Sequence, residues 1–87
     1  MNHNVMLMLE ALRNSSNECT RASVRIILAN EPVGPKGIPA RDMAAAGFYG
    51  DFLQAVMTGD YLDAYGAADT SNQCALRSVL GTRDDLW

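Results

Sequence analysis

The sequence predicts an all-α fold, one compact domain of four to five short helices. Three observations predict it. Apolar residues recur at helical spacing, as in Val5, Met8, Leu9 and Leu12. Short polar clusters that end and restart helices interrupt the chain at residues 14–17, 58–60 and 69–72. All three prolines fall within residues 31–39, which leaves the remaining segments free to be helical.

A first helix is expected over residues 4–13, with Asn2 or Asn4 as its cap. The polar run at 14–17 breaks it, and Ser15-x-x-Glu18 has the form of a capping box for a second helix over about 16–30. Cys19, Ala22, Ile26 and Ala29 or Asn30 make one stripe there, and Val24, Ile27 and Leu28 widen it. That breadth marks the second helix as the central element. Residues 24–28 also have β-propensity, and a strand is the alternative. Residues 31–39 hold three prolines and two glycines and read as a loop. Ile38-Pro39-Ala40 then resembles a helix start, with Ile38 as a staple.

Residues 40–57 read as a helix, with Gly47 as a point of division. Gly50-Asp51-Phe52-Leu53 is echoed nine residues later by Gly59-Asp60-Tyr61-Leu62. On one continuous helix the two copies would face opposite ways, since nine residues turn through about 900°. A break at Thr58-Gly59 removes that conflict, with Asp60 capping a helix over about 60–68. A last helix follows Asp69-Thr70-Ser71-Asn72, where Thr70-x-x-Gln73 resembles a capping box. It carries Cys74, Ala75, Leu76, Val79 and Leu80, and Gly81 is placed to end it. Residues 82–87 form a C-terminal tail ending Asp84-Asp85-Leu86-Trp87.

Eighty-seven residues make a single domain, 1–87, and 48% apolar content is enough for a core. No apolar run approaches a membrane span, and Val5-Met6-Leu7-Met8-Leu9 lacks the flanks of a signal peptide, so a cytoplasmic location is expected. Cys19 and Cys74 are expected as reduced thiols on apolar helix faces. With His3 the only histidine, no metal set, no cofactor site and no nucleophile–base pair is expected, and the chain reads as a non-enzyme.

Charge is unevenly placed. Residues 42–76 contain no Lys or Arg but five aspartates, and five of the six aromatics lie in 48–65. An acidic, aromatic segment suits protein recognition, where aromatics supply the contact core and charge steers the encounter. The expected partner-binding residues are Tyr49, Asp51, Asp60, Asp63, Tyr65 and Trp87, facing a protein with a basic surface. Homodimerisation is a further way to cover the apolar surplus. The competing reading is a helix-turn-helix DNA-binding regulator, from the entry at Pro39 and the turn at Gly47. Its would-be recognition helix holds Asp51 and no basic residue, which disfavours direct nucleic-acid binding. Arg21 and Arg25 are the one basic helix edge.

Short, acidic, helical and cysteine-poor, and ending at Asp84-Asp85-Leu86-Trp87, the chain resembles the small accessory proteins of bacteriophages and phage satellites. The resemblance implies stoichiometric binding to a phage or host protein, such as a repressor, terminase subunit, nuclease or defence complex. An acidic surface of this kind would occupy the target's nucleic-acid-binding site.

Overall fold

A computed structural model describes residues 2–80, and the side chains through Ser78. Gly81, the 82–87 tail and Trp87 lie outside the described residues, as do the side chains of Val79 and Leu80. Among the described residues there are six helices: α1 (His3–Leu12), α2 (Glu18–Ala29), α3 (Ala40–Ala45), α4 (Asp51–Thr58), α5 (Tyr61–Ala67) and α6 (Thr70–Leu80). The protein is all-α, with one two-stranded hairpin, β1 (Pro32–Val33) and β2 (Ile38–Pro39). The radius of gyration is 12.1 Å, close to the ~12 Å of a compact chain of this length.

Helix α1 is the hub. It packs on α6, α2 and α4, and Val5, Met8, Leu9 and Leu12 are all buried, with Ala11 beside them. Asn2 caps it, its Oδ1 accepting from the Asn4 N–H at 2.7 Å. The central role expected of α2 is corrected. Only Thr20, Val24 and Ile27 of α2 are buried, while Cys19, Ala22 and Ala29 are exposed. Small and weakly polar residues fitted a stripe on paper, but α2 lies at the periphery and needs only one narrow face inward. Its 24–28 portion is helical, not a strand.

The cap at the start of α2 differs from expectation. Asn17 caps the start, its Oδ1 accepting from the Thr20 N–H at 3.1 Å, and Ser15 is instead drawn into the interior. At the other end Asn30 is left-handed, with φ 54°. Arg41 reaches back from α3 and donates to the Ile27 and Leu28 carbonyls at 3.2 and 3.0 Å. The Leu28 carbonyl thus gains a partner, and the Ile27 carbonyl, which also accepts from the Asn30 N–H at 3.0 Å, gains a second, both from a guanidinium eleven residues beyond the C-cap.

The 31–39 loop proves to be a hairpin with Pro32 opposite Pro39 and Val33 opposite Ile38. The Ala40 N–H donates to Glu31 O at 2.9 Å. Antiparallel pairs alternate between bonded and non-bonded, so both prolines occupy a pair that needs no N–H. Ile38 is 37% exposed and does not act as a staple.

Gly47 divides residues 40–57, giving α3 and α4 joined by a turn, the helix–turn–helix connectivity expected of the middle. The break at Gly59 is also present, with φ 80°, and the Asp60 side chain caps α5 by accepting from the Asp63 N–H at 3.1 Å. Asp69, not Thr70, caps α6: its Oδ1 accepts from the Asn72 N–H at 2.8 Å. Gln73 instead donates to Tyr65 O at 3.1 Å and ties the end of α5 to α6. Both cysteines are exposed free thiols, which corrects their placement on apolar faces.

Candidate functional site

The nine-residue echo is not a structural repeat. Gly50 is the N-cap of α4, so Asp51 is its first helical residue, whereas Asp60 is itself the N-cap of α5. The two copies enter their helices one residue out of step, and one residue rotates a helical position by 100°. The buried member also switches, because each helix turns its own face to the core: α4 buries its third and sixth residues, Leu53 and Val56, and α5 its first and fourth, Tyr61 and Ala64. In α4 Leu53 is buried and Phe52 half-buried; in α5 Tyr61 is buried and Leu62 is 58% exposed. Of the aromatic-apolar set in 48–65, Leu53, Val56 and Tyr61 belong to the core.

Phe48 and Tyr49 ride on the α3–α4 turn. Gly47 and Gly50, at φ 93° and 100°, bracket them, a conformation open to glycine and strained for other residues. The turn is pinned by Phe48 N–H to Met43 O and Gly50 N–H to Gly47 O, both 3.0 Å, and by Gln54 Nε2 donating to Ala45 O at 3.3 Å. Phe48 stands 60% exposed, its ring edge-on to Tyr49 at 5.0 Å between centroids. Tyr49 leans the other way, into a concavity of about 180 Å³ between α2, α4 and the start of α6. Tyr49, Phe52 and Leu53 form its apolar side, with Cys19, Thr20, Ser23 and Asn72 opposite.

Asp51 lies beside this turn, exposed at the start of α4, where the helix dipole favours its charge. Asp60 and Asp63 lie beyond the other end of α4, an eight-residue helix that spans about 12 Å. They stand together at the first turn of α5, with Leu62 between them. Tyr65 follows on α5, stacked on Tyr61 at 6.0 Å, and its hydroxyl accepts from Arg77 Nη1 at 3.4 Å. Burial, reinforced by the neighbouring Tyr65, pushes the Tyr61 phenol above its usual range despite the opposing field of Arg77. The expected residues thus fall into two places: Tyr49 with Asp51 at one end of α4, and Asp60, Asp63 and Tyr65 at the other. Among the described residues Asp51, Asp60 and Asp63 make no ion pair.

Phe48 and Leu62 are the functional candidates that reading the sequence passes over, because an aromatic or a leucine in a helical pattern is taken for core. The bracketing Gly47 and Gly50 were the available signal for Phe48. Leu62 had none, since its exposure follows from which face α5 turns to the core. Among the described residues no three His, Cys, Asp or Glu side chains gather as a metal-ligand set, and no helix is long and apolar enough to cross a membrane. No protein-family model, curated protein or solved structure matches the chain.

Proposed function

We propose that this protein is a non-enzymatic binding module that acts by stoichiometric association with another protein. The observation that carries the reading is Phe48, a large ring held 60% in solvent on a glycine-bracketed turn. Such a ring, next in the chain to a Tyr49 that lines a shallow concavity with Phe52, has the make-up of an interface anchor. Asp51 beside it, and Asp60 and Asp63 farther along, favour a partner with a basic surface. Following the resemblance to phage and satellite accessory proteins, the partner class is a phage or host nucleic-acid-binding protein whose activity is blocked or redirected.

The test begins with affinity capture from the native host using wild type and Phe48→Ser, followed by reconstitution with the purified partner. A saturable complex that Phe48→Ser weakens by roughly tenfold or more supports the reading. Duplex DNA titrated at low salt addresses the regulator reading. Sequence-selective submicromolar DNA binding by the isolated protein, or partner binding indifferent to Phe48, overturns it.

A further inference from the structure

Helix α2 has two flanks, and only one faces the aromatic turn. Cys19 and Ser23 border the concavity with Tyr49. Arg21, Arg25, Leu28 and Ala29 point away from it, towards α1. Met6 and Glu10 of α1 and its C-cap Arg13 lie at i, i+4 and i+7 and form the opposite wall. The result is a groove of about 370 Å³, which runs through Arg13 and Arg25 into a smaller recess of about 160 Å³ lined by Arg13, Arg21 and Arg25. One end is apolar, with Met6 37% exposed beside Leu28 and Ala29; the other end gathers three guanidiniums.

We propose that this groove docks an acidic peptide segment of a partner protein, one bearing a large apolar side chain beside its carboxylates. Charge decides the chemistry. Arg13 and Arg21 are held in i,i+3 pairs with Glu10 and Glu18, at 3.2 and 3.9 Å, and Arg21 also donates to Ser15 O at 2.6 Å. Both pairs are solvent-exposed, and exposed pairs of this kind hold weakly enough for an incoming carboxylate to exchange with Glu10 or Glu18. Arg25 makes no ion pair among the described residues. It sits where recess and groove meet, so one ligand can reach Arg25 with a carboxylate and Met6 and Leu28 with an apolar group. Glu10 lies on the groove wall, so a ligand has to set its negative charges on the guanidiniums and clear of Glu10, which a short segment with two or three carboxylates does more readily than a phosphate backbone charged at every nucleotide. The groove is separate from the Phe48 turn, so the two surfaces would let one molecule bridge two chains.

The probe is a fluorescein-labelled octapeptide of Asp and Glu with one central Trp, titrated by fluorescence anisotropy against the full chain. Saturable binding is expected. It should weaken roughly tenfold in Arg25→Glu and severalfold in Met6→Asp, and fall as salt rises. Replacing the central Trp by Ser should weaken it as well, and Phe48→Ser should leave it unchanged, which separates this site from the aromatic turn. Amide spectra of Arg25→Glu, an exposed position, verify that the fold is intact. Absence of saturable binding, equal affinity in Arg25→Glu, or a duplex oligonucleotide that displaces the peptide through Arg25 would each overturn the proposal.

Discussion

Ser15 Oγ donates a 2.6 Å hydrogen bond to Asn72 Oδ1, joining the α1–α2 connection to the first turn of α6 across 57 residues of sequence. Asn72 Nδ2 in turn donates to Thr20 Oγ1 at 3.0 Å, and the Asn17 N–H donates to Ser15 Oγ at 3.1 Å. Ser15, Thr20 and Asn72 are all buried. Buried polar groups are costly when left unpaired, and here each completes another.

Removing Asn72 should therefore cost more than one hydrogen bond. Asn72→Ala leaves Ser15 and Thr20 short of partners, and a loss of about 1–3 kcal/mol is expected in urea unfolding. Ser15→Ala combined with Asn72→Ala should cost less than the sum of the single changes. Strict additivity would show that the network is incidental.

The glycines separate a required backbone from a tolerated one. Gly59 sits at φ 80°, and a Cβ there would meet the Asn2 side chain at 3.3 Å. Gly59→Ala should destabilise by about 1 kcal/mol. Gly66 lies inside α5 with nothing within 4 Å of its Cβ position. Gly66→Ala should stabilise by about 0.5–1 kcal/mol. A melting temperature that rises for Gly59→Ala as it does for Gly66→Ala would contradict the helix break.

Arg41 should behave as a cap and not as a surface charge. Arg41→Ala forfeits both bonds to the end of α2, at roughly 1–2 kcal/mol. Arg41→Lys should recover little, because a single ammonium cannot span two carbonyls as the guanidinium fork does. High salt should leave the difference nearly unchanged, since neither acceptor is an ion.

Tyr61 supplies a pH dependence. Its folded pKa lies above its unfolded value because burial disfavours the phenolate, with Tyr65 adding to the shift. Its contribution to stability is thus complete below pH ~10 and falls as pH rises past that value. Unfolding measured from neutral to strongly alkaline pH should show a downward slope that Tyr61→Phe makes shallower. Parallel profiles would assign the slope elsewhere.

Asp60 and Asp63 separate capping from charge. Asn caps as well as Asp, so Asp60→Asn should keep stability within about 0.5 kcal/mol, while Asp60→Ala should lose about 1 kcal/mol. Once a basic partner is in hand, the Asp60→Asn, Asp63→Asn double variant should associate more slowly and respond less to salt. Superimposable salt curves would make this end of α5 a solvated face.

The sequence by itself determined the helical class, the face α1 buries and the break that Asp60 caps. Each of these rests on interactions within a few residues: i, i+4 spacing, a capping side chain, a glycine with positive φ. Tertiary structure decided the rest. Ser15 was legible as a cap because Glu18 follows it, yet it pairs with Asn72, and nothing local records a contact 57 residues away. Cys19 and Ala22 suited an apolar stripe, but α2 is peripheral, and its inward face was chosen by what α1 left open. Leu62 repeats the setting of Leu53 in sequence, yet α5 turns Tyr61 and Ala64 to the core and leaves Leu62 58% exposed, a choice made by how α5 packs and not by its local sequence.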